Sequence, residues 1–156
     1  QVIAQGLERR AGAFVRGAMI TREIPNTRDL ADLANSKSLL LQDRTWVQQV
    51  SVQVAHATRV MHDHSFTHND LKWRNLLVNQ QAQVYLIDCP AGTFWWGPML
   101  RYRIIKDLAC LDKVAQYQLS QTQRLRFYLQ YCQRARLNAQ DKKQIAKIVR
   151  FFEGRE

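Results

Sequence analysis

The sequence predicts an α+β fold, mainly helical with one small β-hairpin, and three observations carry that prediction. Apolar residues recur at three- and four-residue steps over a long stretch that begins at Asp43. Two short β-like runs, "NLLVN" and "QVYLID", stand together in mid-chain with only "QQA" between them. From Ile104 onward the apolar spacing is helical throughout. At 156 residues the chain has room for one modest domain with its own core.

The elements can be justified in order. Val15 to Ile24, "VRGAMITREI", is rich in β-branched and apolar residues and stops at Pro25, as a strand entering a connector does. Asn26 or Thr27 is placed to cap a short helix through "RDLADLA", where Leu30, Leu33 and Ala34 follow helical spacing. With Asp43 as N-cap, Trp46, Val47, Val50, Val54, Ala57, Val60 and Met61 give an apolar face to a long helix reaching His64. The hairpin comes next, and after it Pro90, Gly92, Gly97 and Pro98 break up a loop that contains Phe94, Trp95 and Trp96. Three helical patterns finish the chain, around Leu108, around Tyr128 and around Ile148. Asn138 is placed to cap the last of them, with Asp141 in its first turn.

Composition excludes several classes. Cys89, Cys110 and Cys132 are odd in number and form no CxxC pair, which argues against a disulfide framework or a zinc knuckle and fits a reducing compartment. No apolar run approaches the roughly 18 residues of a spanning helix, and Gln1 to Arg10 lacks the order of a signal peptide. A soluble, cytoplasmic chain is the expectation. The net charge is +10 and uneven: residues 1–100 hold 10 basic and 8 acidic side chains, residues 101–156 hold 13 and 5. The basic C-terminal third favours anionic partners without choosing among them.

Between the long helix and the hairpin lies "FTHNDLKWRN", a concentration of polar chemistry between two apolar runs. Asn75 stands before the first strand of the hairpin and Asp88 at the end of the second, so an amide oxygen and a carboxylate are placed to share one cation. Magnesium takes hard oxygen ligands and keeps waters and phosphates in its shell, which makes that pair a sufficient protein share. Asp70 is then free to accept a proton from an attacking hydroxyl, and Lys72 to set its charge on a phosphoryl group in transit. His56, His62 and His64 are spaced six and two apart, not at the i, i+4 step of a helical metal pair, and carry no metal expectation.

"HNDLKWRN" resembles the protein-kinase catalytic-loop pattern HxDLKxxN, and "LIDCP" stands where kinases place their DFG segment. Taken with "LIDCPAGTFWWG" and "KDLACLDKVA", it looks more narrowly like the bacterial lipopolysaccharide core kinases, the Kdo and heptose kinase family. That resemblance implies the large, mainly helical C-terminal lobe of a protein-kinase-like fold, with the small lobe mostly absent. Residues 1–25 would be a remnant of the small lobe and hinge strand, and 26–156 the helical large lobe. It further implies ATP and Mg2+ as cofactors, Asp70 as base, Lys72 on the γ-phosphate, and Asn75 and Asp88 on the metal. His68 and Asp107 would support the site. Glu23, Ile24 and Asn26 would form the hinge near adenine, and Trp95, Trp96, Arg101 and Arg103 would border the acceptor. The expected activity is phosphorylation of a sugar hydroxyl of the lipopolysaccharide core, on a lipid-linked substrate at the inner face of the inner membrane, with no specific nucleic acid partner.

The departures matter as much. Asn69 replaces an arginine that answers activation-loop phosphorylation in regulated protein kinases, and Cys89 and Pro90 replace the Phe and Gly of the DFG segment. The first lysine is Lys37, and Gly6, Gly12 and Gly17 do not make a GxGxxG loop, so the nucleotide-clamping strand pair is missing. The expectation is the C-terminal portion of a longer kinase rather than a degenerate relative. Two alternatives stay open: a catalytically silent module that binds anionic lipid or nucleic acid, and a kinase of the same fold acting on protein or another small alcohol.

Overall fold

A computed structural model describes residues 2–154, so the outer limits of the two expected domains, 1 and 156, lie outside the described residues. The chain opens with a hairpin of two nine-residue strands, β1 (Val2–Arg10) and β2 (Ala13–Thr21), paired antiparallel. Ala11 and Gly12 turn between them with φ of 49° and 81°, the left-handed values that a tight hairpin turn needs. The sequence expectation began the strand at Val15 and did not include β1. The reason is visible in "VIAQGLERR", whose apolar residues do not alternate cleanly and whose side chains are almost all exposed.

A two-residue strand β3 (Arg28–Asp29) leads into α1 (Leu30–Asn35). Its N-cap is Asp29, which accepts from the Asp32 backbone, rather than Asn26 or Thr27; the Thr27 hydroxyl donates instead to the Ile24 carbonyl at 2.7 Å. After a short 3-10 turn, α2 spans Arg44–Asp63, with Asp43 as N-cap accepting from Thr45 and Trp46 and His64 as C-cap.

The buried face of α2 departs from the apolar pattern in its second half. Trp46, Val47, Val50 and Val54 are buried as the spacing requires, but Thr58 and His62 are buried further on, and Val60 is exposed. The helix thus turns a polar stripe inward where it passes the segment at residues 66–69.

Strand β4 (Phe66–Thr67), a 3-10 turn at Trp73–Asn75, and the hairpin β5 (Leu76–Val78) and β6 (Val84–Leu86) follow. β5 is central, pairing antiparallel with β3 and β6. β7 (Thr93–Phe94) returns to pair with β4. Three helices close the fold: α3 (Gly97–Gln118), α4 (Gln121–Cys132) and α5 (Ala139–Val149). α3 begins seven residues before Ile104, because Pro98 sits in its first turn, where a missing N–H costs nothing and φ is already helical. Capping boxes open α4 (Ser120 with Gln123) and α5 (Asn138 with Asp141).

Two apolar clusters flank the axis formed by α2 and α3. One joins α1, the first half of α2, Leu71, Trp73, the β5–β6 hairpin and Leu111; the other joins Ala55, Leu108, Tyr128, Tyr131 and Ile148. With about 1.5–3 kcal/mol for each large side chain buried, these clusters fix the loop at residues 68–75 between them.

Candidate active site

The loop is held at both ends and along its length. Ser65, at φ 59°, turns the chain out of α2, and the Trp95 N–H donates to its carbonyl at 2.9 Å, so the segment after Asp88 is zipped to the segment before His68. Burial then alternates: Leu71, Trp73 and Asn75 are buried, while Lys72 and Arg74 are exposed. Trp73 anchors the alternation, donating through its indole N–H to the Leu111 carbonyl of α3 at 2.9 Å. Buried residues at every second position therefore turn the charged ones to the open side.

Asp70 gathers three partners there. Lys72 Nζ lies 2.6 Å from Oδ1, an Arg74 guanidinium nitrogen 3.2 Å from Oδ2, and the Asn75 amide donates to Oδ2 at 3.3 Å. The Lys72 ammonium, first among these, holds the Asp70 carboxyl below the usual carboxylate range. The carboxylate is ionised near neutrality and retains enough exposure to receive a ligand.

Asn75 ties the loop to the hairpin. Its amide nitrogen donates to the Asp70 carbonyl at 2.7 Å, and its own backbone carbonyl accepts from Ile87 N–H at 3.0 Å. Asp88, the next residue, is therefore delivered across the ladder from Asn75. Asp88 is exposed, adopts φ 60°, and has no hydrogen bond or ion pair among the described residues. Asp is one of the few residues that tolerate that backbone region. No cluster of three or more His, Cys, Asp or Glu side chains suited to a metal occurs among the described residues.

Beneath the loop runs a buried polar chain of which the sequence reading saw only two members, His68 and Asp107. Asp107 of α3 is fully buried, and its Oδ2 accepts from His68 N–H at 2.8 Å. The same oxygen lies 3.4 Å from His62 Nε2, and His62 Nδ1 lies 2.8 Å from the Tyr131 hydroxyl of α4. Burial pushes the Tyr131 phenol well above its ordinary range, so it keeps its proton and donates. The His62 tautomer protonated at Nε2 satisfies both neighbours. The missed signal was His62 itself, a histidine four residues beyond Thr58 on a face otherwise read as apolar. His68 Nε2 faces the Ile87 carbonyl at 3.2 Å, and Asn69, at φ 63°, donates to the Ala91 carbonyl at 2.7 Å. Asn69 thus joins the loop to the segment after Asp88.

The other candidate residues divide. Trp95 is half-buried with the Arg103 guanidinium 4.8 Å from its ring centre, so these two stack on each other. Trp96 is 80% exposed and Arg101 is exposed. Glu23, Ile24 and Asn26 lie in the connector after β2, and the β3–β5 register, with Arg28 opposite Val78, sets Asn26 beside the turn end of the hairpin at Asn79–Gln81, away from the end that carries Asn75 and Asp88.

A family model described as the lipopolysaccharide kinase (Kdo/WaaP) family matches residues 1–131. The chain belongs to this family. Among curated relatives, the Kdo/WaaP chain is 27% identical over 77 residues to a 3-deoxy-D-manno-octulosonic acid kinase of Vibrio cholerae serotype O1. It is 32% identical over 79 residues to the enzyme of the same name from Photobacterium profundum. These matches take in 49% and 51% of this chain but 30% of each relative, so the chain matches under a third of their length. A solved structure of WaaP in complex with acyl carrier protein superposes with a TM-score of 0.72 at 20% identity, covering 98% of this chain and 66% of that one. The α+β architecture is thus a Kdo/WaaP-type, kinase-like fold.

Proposed function

We propose that this chain is the catalytic-loop portion of an ATP-dependent phosphotransferase that phosphorylates a sugar hydroxyl of the lipopolysaccharide core. One observation carries the reading: Asn75 bonds the carbonyl and carboxylate of Asp70 with its amide nitrogen and, through its backbone, positions Asp88 across the hairpin. Three groups that phosphoryl transfer requires are therefore tied together from both sides of one hairpin.

The donor set fits magnesium: with the Asn75 nitrogen committed to Asp70, its amide oxygen and the unpartnered Asp88 carboxylate are hard oxygen donors. Bound there, the ion would neutralise charge on the transferred phosphate. Asp70 orients the acceptor hydroxyl and takes its proton. Lys72 couples the two events, because the ammonium that depresses Asp70 is exposed and on a flexible stem. When a phosphoryl group draws Lys72 away, the carboxylate becomes the stronger base at the moment its proton is due.

The curated relatives are named as 3-deoxy-D-manno-octulosonic acid kinases, which favours an acidic sugar as acceptor; a lipid-linked form of it at the cytoplasmic face of a membrane is what the family resemblance implies. No helix among the described residues is long and apolar enough to cross a membrane. The test is turnover of the intact protein: Asp70→Ala and Asp88→Ala should each nearly abolish it while leaving the fold in place. Near-normal turnover in either variant overturns the assignment of that residue, and a parent protein without turnover favours the catalytically silent binding module instead.

A second partner is favoured by one further feature. The solved relative is in complex with acyl carrier protein, and this chain holds an apolar cavity of about 380 Å³ among α2, α3, α4 and α5, lined by Val50, Val54, Leu111, Ala115, Phe127 and Ile148. An alkyl chain matches that lining. Ala115→Phe should prevent co-purification with acylated carrier protein; undiminished capture refutes this second reading.

A further inference from the structure

The start of α3 carries a surface that neither the fold nor the transfer chemistry explains. Phe94, Trp96, Met99 and Tyr102 are exposed in succession, Trp96 at 80%, and from Trp96 on they stand three residues apart, on one face of the helix start. Phe94 stacks edge-on with Phe66, at 5.2 Å between ring centres, four residues before Asp70. Tyr102 meets Phe151 at 5.6 Å, which brings the end of α5 alongside.

That end of α5 is basic. Lys143, Lys147 and Arg150 fall at the i, i+4, i+7 positions of one exposed stripe leading to Phe151. The sole acidic residue within α5, Asp141, is taken by Arg134 at 2.9 Å. Arg101 adds an exposed cation between Trp96 and Tyr102. Aromatic rings with polar edges, next to a run of cations, match the boundary of an anionic bilayer, where indole and phenol rings seat at headgroup depth and cations meet lipid phosphates. A contiguous exposed aromatic patch on a soluble surface is otherwise unfavourable.

We infer that the α3 start and the α5 stripe together form a peripheral docking face for an anionic lipid bilayer, with Trp96 inserting at headgroup depth and Lys143, Lys147 and Arg150 on the lipid phosphates. The inference rests on the phosphotransferase reading only for its purpose, to hold Asp70 over a lipid-linked acceptor. β4 and β7 connect this face directly to the catalytic loop.

The experiment is flotation of the intact protein with vesicles of phosphatidylcholine alone and with vesicles that also carry phosphatidylglycerol. Binding is expected only to the second kind, falling as salt rises. Each cation removed should weaken it about fivefold, so Lys143→Ala with Lys147→Ala should give roughly a 25-fold loss. Trp96→Ala should weaken it by about tenfold, and phosphatidylglycerol with brominated acyl chains should quench fluorescence in the parent but not in Trp96→Phe. All these positions are exposed, so unchanged thermal melting will certify the fold. No flotation, equal flotation with neutral vesicles, or binding indifferent to both sets of variants overturns the inference. Asp88→Ala separates the two readings, since it should end transfer and leave vesicle binding intact.

Discussion

Replacing Asp107 tests the buried chain under the loop at residues 68–75 most directly. Its Oδ2 is the acceptor for His68 N–H at 2.8 Å and the neighbour of His62 Nε2 at 3.4 Å, in a place with no solvent access. Asp107→Ala strands both donors. A stranded buried donor costs about 1–3 kcal/mol; the backbone N–H bears the full amount, the longer histidine contact the lower end, and the vacated volume adds a further ~1 kcal/mol. The total is roughly 3–5 kcal/mol, a large share of the stability of a chain this size. Asp107→Asn keeps an oxygen for His68 N–H and loses only the strength of a bond to a charged group, about 1–2 kcal/mol. Urea denaturation followed by circular dichroism should therefore rank parent, Asn and Ala variants in that order. The Ala variant should melt roughly 6–20 °C lower. If Ala is as stable as the parent, or Asn as damaging as Ala, the carboxylate is not what holds His68 and the account of the loop fails.

Other predictions follow from single contacts. Lys72→Ala should raise the Asp70 carboxyl toward its ordinary value of 3.8, seen by carboxyl-carbon NMR titration. The sign for stability is that of a depressed acid: the contribution of Asp70 is complete above that ordinary value and is lost as pH falls below it through the native one. The variant should accordingly lose stability at neutral pH and show a shallower acid limb, measured by urea midpoints across pH. Trp73→Ala removes a buried indole and its bond to Leu111, and should cost about 3–5 kcal/mol by chemical denaturation. Asn138→Ala breaks the capping box of α5 and should cost about 1 kcal/mol, with faster amide exchange confined to that helix's first turn.

Much of the fold was legible because its signals are local. Asp43 and the three- and four-residue spacing after it marked α2 to within a residue, and "NLLVN" with "QVYLID" marked the central hairpin. The order of His68, Asp70, Lys72 and Asn75, followed by Asp88, pointed to the Kdo/WaaP family without any structure. The long-range pairings left no such trace. β4 and β7 are two residues each and lie 26 residues apart, so neither has a pattern to read. The partners of His62 left no trace for a related reason. Helical spacing says which residues share a face but not what that face meets, and only the approach of Asp107 and Tyr131 from other helices gives a buried histidine its partners. Trp95 and Trp96 show the same limit in miniature. Adjacent in sequence and identical in kind, they part company because Arg103 covers one ring and nothing among the described residues covers the other.

The β1–β2 ribbon has a practical consequence for anyone handling this chain in solution. Among the described residues it pairs with no third strand, so each of its two outer margins presents a ladder of unfilled amide and carbonyl positions, flanked by Leu7, Phe14, Met19 and Ile20. Such a margin templates the addition of another chain, and the net positive charge that Arg9, Arg10 and Arg16 leave after Glu8 pairs with the last two holds copies apart. Concentrated samples in high salt should oligomerise through this ribbon first, well before the helical body loses its shape.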